Sequence, residues 1–267
     1  MIGILNNTFV EALGALTISF VYATGRFSKF CYRSWKTLFS NSWNYRLIMD
    51  QAMAVGVKSL PVALITALFV GMVMVLQTGV QLIQFGAKNY VPAIAFIANA
   101  RELIPVFVAF VVGARVAASF TAEIGTMRVT EQIDAMEILH VDPYHYLIAP
   151  RIIAMTLMLP LICTLSLIAS FYGGMLIGTT LLNINSLEYM TTTQKFALLT
   201  DPYSGLVKTI FFGNIIGLVG CYYGYYTSGG AEGVGRATTT SVVVTLMLIL
   251  LMDFLLSRWT LFFIPLD

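Results

Sequence analysis

Three carboxylates, Glu131, Asp134 and Glu137, stand three residues apart in the most acidic stretch of the chain, Thr121 to Arg151, which also holds Glu123 and Asp142. On a helix that spacing gathers the three within an arc of about 120°. Two readings stand: an acidic face that pairs with basic groups on a soluble partner, or an ordinary solvated face. The helix should stop near His140, where Asp142 can cap a new helix with Pro143 at its first position.

A second group of charges lies inside apolar runs. Arg101 and Glu102 interrupt one such run, and Pro105 just beyond them removes a backbone bond and predicts a kink. A charge at bilayer depth costs roughly 2.5 kcal/mol or more, so it faces a cavity or a partner. Adjacent helical residues point about 100° apart, so the two need not pair with each other. They fit either an ion-pair brace between helices or a polar patch on a transport path. Asp253, also within an apolar run, suits a bond to a backbone or hydroxyl group across a helix. Arg258 and Trp259 read as an interface anchor.

The other chemistries fare poorly. Gly229, Gly230, Gly233 and Gly235 crowd together, but no GxxxxGK[ST] pattern accompanies them, so they read as a tight turn before Arg236 and not as a phosphate loop. His140 and His145 have no third ligand at regular spacing, so no metal site is expected. Cys31, Cys163 and Cys221 are scattered and odd in number, which argues against a disulfide framework. No serine–histidine pair, catalytic carboxylate pair or HExxH falls within the apolar runs, and an enzyme ranks last.

The elements that hold these residues follow from composition. Of 267 residues, 58% are hydrophobic and 10% charged, with a mean hydropathy of +0.83. A soluble domain carries about a quarter charged residues, so this chain cannot cover a globule of its size against water. A net charge of +2 without a dense basic run gives no argument for a nucleic-acid partner, and none is expected.

Five stretches reach the roughly 20 apolar residues of a spanning helix: 59–87, 89–119, 152–187, 209–231 and 237–266. The expected fold is therefore an all-α integral membrane protein with five transmembrane helices. Residues 1–25 carry one charge, Glu11, and two readings stand for them: a sixth span or a helix lying on the membrane. Leu5, Phe9, Leu13, Leu16 and Phe20 step at three or four and mark one helix face. Arg26, Lys29, Arg33, Lys36 and Arg46 then interleave with Phe27, Phe30, Tyr32, Trp35 and Trp43, a mixture suited to the headgroup layer. Residues 1–50 are accordingly read as an N-terminal interfacial amphipathic segment, and 51–267 as the transmembrane domain.

Orientation follows from Lys and Arg. With the N-terminus inside, the cytoplasmic segments hold Arg26, Lys29, Arg33, Lys36, Arg46, Lys58, Arg115, Arg128, Arg151 and Arg236, against Lys88, Lys195, Lys208 and Arg258 outside. The positive-inside rule then makes 122–151 a cytoplasmic loop bearing a short helix.

Four blocks carry a family resemblance. EIGTMRVTEQIDAMEILHVDP, Glu123 to Pro143, resembles the motif of the MlaE family of ABC permeases. GGAEGVGRATTTSVV (229–243), ARELIPV (100–106) and GMVMVLQTGVQ (71–81) resemble further blocks of that family, in the expected order. Ile104 stands where the family often has glycine, and residues 1–50 match no comparable motif.

The resemblance implies a homodimeric permease with two cytoplasmic ATPase subunits that hold ATP and Mg, no cofactor in this chain, and an MCE-type lipid carrier on the outer side. It implies ATPase coupling by Glu131, Gln132, Asp134 and Glu137. It implies a phospholipid pathway lined by Leu76, Gln77, Val80 and Gln81 of the first span and by Arg101 and Glu102 of the second. The implied site is a bacterial inner membrane or, alternatively, a plastid inner envelope. An ion-coupled secondary transporter using Glu102 and Asp253 is the rival. It predicts inverted repeats, of which the sequence shows none.

Overall fold

The structure, a computed structural model, describes residues 2–38 and 45–263. Its elements are α1 (Ile2–Leu38), α2 (Tyr45–Gln84), α3 (Val91–Ala98), α4 (Ile104–Val129), α5 (Gln132–Ile138), α6 (Ala149–Thr180), α7 (Ser186–Phe196), α8 (Thr200–Tyr225) and α9 (Gly230–Phe263). Among the described residues there is no strand, and five helical stretches are long and apolar enough to cross a membrane: α2, residues 88–129 through α3 and α4, residues 144–180 ending in α6, α8 and α9. This is the all-α, five-span architecture expected from composition.

α1 is one continuous helix and is not among the five. The side chains of Leu5, Phe9, Leu13, Leu16 and Phe20 lie outside the described part, as does the stretch 39–44 with Trp43. α2 begins at Tyr45 and runs through residue 50 without a break.

Prolines shape two of the spans. Pro105 and Pro150 carry no N–H, so the turn before each cannot close with regular α bonding. Both turns open into π-helix, over Asn99–Leu103 and Tyr144–Ile148, with Ile104 N–H reaching Asn99 O and Ala149 N–H reaching Tyr144 O. Such single wide turns are rare and occur mostly at functional sites. The first contains Arg101 and Glu102, so the kink expected at Pro105 takes the form of a widened turn.

The helices pack through small residues and leave large ones outside. A Cβ on Gly71 of α2 would fall inside the Ser170 carbonyl of α6, and one on Gly173 would fall inside that of Leu68. This backbone-to-backbone approach is open only to glycine and is the membrane mode of helix association. The outward faces carry Ile65, Phe69 and Val73 on α2, Leu161 on α6, and Met247 and Phe254 on α9, all exposed. Hydrocarbon solvates such a surface and water does not.

The bundle has two polar ends. At one end, Lys88 donates to Asn183 O at 3.1 Å and Tyr90 stacks edge-on against Phe196. At the other, α1 and α5 meet the C-terminal ends of α4 and α8 and the start of α6.

Candidate functional site

The loop between α4 and α6 is the better defined of two candidate sites. α4 ends at Val129, and Glu131 adopts a left-handed conformation (φ 57°) that turns the chain into α5. α5 buries Ile133 completely and packs Met136 against the core, which fixes its roll. Its end is a Schellman arrangement: Val141 N–H bonds Met136 O at 2.9 Å and His140 N–H bonds Glu137 O at 3.1 Å, with His140 left-handed at φ 59°. The helix thus stops where the sequence reading places its end. Asp142 then accepts from Tyr144 N–H at 3.1 Å, as expected of a cap.

The carboxylates divide into two kinds. Asp134 accepts from Arg128 Nη1 at 2.5 Å, and Glu137 accepts from the Tyr225 hydroxyl at 3.0 Å. Glu131 and Gln132 face solvent, Gln132 donating to Thr130 Oγ1 at 3.0 Å. Beside them Ile138 and Leu139 are 77% and 74% exposed. α5 therefore presents two faces, a polar one and an apolar tip. The sequence places Leu139 off the acidic arc but does not mark Ile138 and Leu139 as an exposed tip. Its sequence clue is the apolar pair placed immediately before the helix stop.

The loop is tied at both roots. Arg151, 8% exposed at its side chain, donates through Nη2 to Glu123 Oε2 at 3.0 Å and through Nη1 to Leu147 O at 2.9 Å. The sequence does not single out this pairing of Arg151 with Glu123. Thr227 of the α8–α9 turn and Val234 at the start of α9 pack on Gly125. There Gly229 and Gly230 take φ of 91° and 68°, the tight left-handed turn expected of the glycine block.

The second site lies at the opposite end. Arg101 donates through Nε to Asp201 Oδ1 at 2.7 Å, and Asp201 Oδ2 accepts Leu198 N–H at 2.9 Å. Glu102 turns the other way and pairs with Lys208, as the 100° offset allows. Lys208, 2% exposed, also meets Asp253 at 3.1 Å and donates to Ser257 Oγ at 2.7 Å. The widened turn between α3 and α4 is thus fastened to α8 and α9 by three carboxylates and two cations.

Two expectations change here. The sequence reading puts Lys208 outside the membrane, with its span starting at residue 209. α8 starts at Thr200, and Lys208 sits inside it, because two carboxylates from neighbouring helices neutralise it. Asp253, expected on a hydroxyl or backbone group, instead faces that ammonium.

Leu76, Gln77, Val80 and Gln81 lie exposed on α2, on the side away from the Gly71, Val75 and Gly79 face that packs on α6 and its following loop. Arg101 and Glu102 are partly open to the surface at 33% and 46%.

A family model for the permease MlaE matches residues 48–259, from within the first turn of α2 to the last turns of α9. The chain belongs to the MlaE permease family. It is similar to a probable ABC transporter permease protein of Synechocystis sp., 44% identical over 219 residues, covering 82% of this chain and 83% of that one. A probable ABC transporter permease protein of Rickettsia typhi is 40% identical over 246 residues, covering 92% and 95%. A probable ABC transporter permease protein of Pyropia yezoensis is 36% identical over 222 residues, covering 83% of each. This MlaE permease is thus an ABC permease subunit and a multi-pass membrane protein. α1 precedes the matched region.

Proposed function

We propose that this permease works as a homodimer with two cytoplasmic ATPase subunits. In this reading it moves phospholipid, or a similar lipid, between a bacterial inner membrane and an outer-side carrier of the MCE type. The observation that carries the coupling half is the braced loop. α5 is held by a buried Ile133, by Arg128 and Tyr225, and by the Arg151–Glu123 pair at its roots, so a push on its exposed face reaches α4 and α6 as a rigid displacement. Glu131 and Gln132 provide polar contacts to the ATPase, and Ile138 and Leu139 fill its groove. Asp134 and Glu137 hold the helix at the required angle. The ATP and Mg reside on that ATPase, since this chain has no phosphate-loop motif.

The lipid half rests on α2. Gln77 and Gln81 expose amides on the uncharged stretch of α2 that follows Lys58, and hydrocarbon leaves amides unsatisfied. A second copy of the chain facing the first would enclose Leu76, Gln77, Val80 and Gln81 in a cavity with apolar walls for acyl chains and amides at headgroup depth. Arg101 and Glu102 lie at the edge of this path, braced from behind by Asp201 and Lys208. The Lys and Arg excess at the α5 end supports a cytoplasmic location for that end. A plastid inner envelope is the alternative location.

Two experiments test this reading. Charge reversal at Glu131, with Leu139→Ser, abolishes co-purification of the ATPase or uncouples its hydrolysis from lipid movement; intact assembly and coupling would refute the role. Photo-crosslinkers at positions 77 and 81 capture lipid; adducts to protein alone would remove the pathway. An ion-coupled secondary transporter remains the rival on one observation, that Glu102 and Asp253 flank one buried ammonium. Transport driven by an ion gradient with no ATPase present would establish it.

A further inference from the structure

The second half of α1 builds a groove that the transport reading does not use. Arg26, Lys29 and Arg33 stand at i, i+3 and i+7 on one helix face, and opposite them are the rings of Tyr144, which opens the widened turn before α6, and Tyr226, which follows α8. The groove encloses about 630 Å³, within the range of small-molecule sites.

Its electrostatics are one-sided. Arg33 lies 4.2 Å above the Tyr144 ring and 3.7 Å from Asp142. Arg26 lies 5.2 Å above the Tyr226 ring and donates through Nε to the Tyr222 hydroxyl at 3.0 Å. These contacts orient both guanidinium groups while engaging one carboxylate between them. Lys29 forms no ion pair among the described residues. Three cations facing one half-exposed carboxylate leave the groove with two positive charges in excess.

The groove also continues into an apolar strip. Ile18, Val21 and Tyr22, one turn and two turns back along α1, are 72%, 64% and 71% exposed. A ligand fitting both parts has an anionic head and a hydrocarbon tail. We propose that the groove between Arg26, Lys29 and Arg33 of α1 and the rings of Tyr144 and Tyr226 binds the phosphate headgroup of an anionic membrane lipid, with its acyl chains along Ile18 and Val21. The bound lipid bridges α1 to the root of the coupling loop. The site lies at the α5 end of the bundle, away from the Gln77–Gln81 surface, and requires neither ATP nor a second protein.

The full-length chain in detergent, titrated with phosphatidylglycerol or phosphatidylcholine and read by native mass spectrometry, tests this. Phosphatidylglycerol should be retained preferentially. Lys29→Glu should lower its retention at least about fivefold, the worth of one basic residue at an anionic surface, and Lys29→Gln should lie between. Lys36→Glu, on the same helix outside the groove, should change retention less than about twofold. Because Lys29 has no ion pair among the described residues to lose, both variants should melt with the parent. Equal retention of the two lipids overturns the proposal. So does an equal loss for Lys29→Glu and Lys36→Glu, which is diffuse attraction. Displacement by millimolar inorganic phosphate would mark a site for soluble anions, and protection of Lys29 from acylation only when an ATPase subunit is added would mark a protein contact. Either result also overturns it.

Discussion

Arg151 and Glu123, 28 residues apart in the chain, form an ion pair at 3.0 Å that closes the loop between α4 and α6. The pair is asymmetric: the guanidinium is buried and the carboxylate is half exposed. Removing the arginine frees a carboxylate that water can reach, whereas removing the carboxylate strands a buried cation.

Glu123→Gln is therefore expected to be the more damaging single change, lowering stability by about 2–3 kcal/mol, while Arg151→Met lowers it by about 1–2 kcal/mol. The double variant should cost less than the two singles summed. Thermal unfolding in one detergent across the four proteins checks the sign, and additive losses would show that the two groups act separately.

The Lys208 cluster makes a sharper case. Lys208→Met leaves Glu102 and Asp253 facing each other without their cation, and stability should fall by about 3 kcal/mol or more. Adding Asp253→Asn to Lys208→Met should recover part of the loss, because one fewer charge is stranded. Yield of monodisperse protein and its melting temperature report both steps.

At the α2–α6 contact, Gly71→Ala should destabilise by about 2–4 kcal/mol, since its Cβ meets a backbone carbonyl that cannot rotate away. Gly235→Ala, with nothing within 4 Å of the added carbon, should be neutral or slightly stabilising, by about 0.5 kcal/mol. A reversed order in unfolding assays would contradict the packing described.

Cys31 gives a pH-dependent test outside the spans. Burial pushes its thiol up to about 11, against about 8.5–9 for a free cysteine. A raised thiol stays protonated at neutral pH, so its thiolate fraction at pH 7.5 is roughly a hundredfold lower than that of an open cysteine. Maleimide labelling of Cys31, with Cys163 and Cys221 replaced by alanine, should be slow at pH 7.5 and climb steadily towards pH 11. Rapid labelling at neutral pH would place the thiol in the open.

Much of this is legible from residue order alone. The five spans follow from apolar length, and the end of α5 just before His140 follows from the Asp142–Pro143 start of the next helix. The features that stay hidden depend on distance in three dimensions. Lys208 reads as a boundary because a lone lysine usually marks one; its two carboxylates come from residues 102 and 253, and no local window contains all three. The division of labour on α5 is hidden for the same reason. Glu137 is engaged by Tyr225, a residue that precedes the glycine turn and that no short-range spacing connects to the loop. The exposure of Ile138 and Leu139 stays hidden because apolar residues on a short amphipathic helix read as its buried side, and only Ile133 and Met136 reach the core.

The widened turn at Asn99–Leu103 has one more effect. An α-helix is a screw, and a single π turn advances its thread by one extra residue. The buried stripe steps by four through Val91, Ala95 and Asn99, by five to Ile104, and by four again through Val108, Val112 and Val116, so the wide turn takes up the extra residue and keeps one face turned inward. Deleting one residue between 99 and 103 would let this turn close as ordinary α-helix with α3 and α4 still facing the same way, but it would move Arg101 or Glu102 away from Asp201 and Lys208. The wide turn thus decides where the two charges of the second span point, and the number of residues in it matters first to their partners on α8.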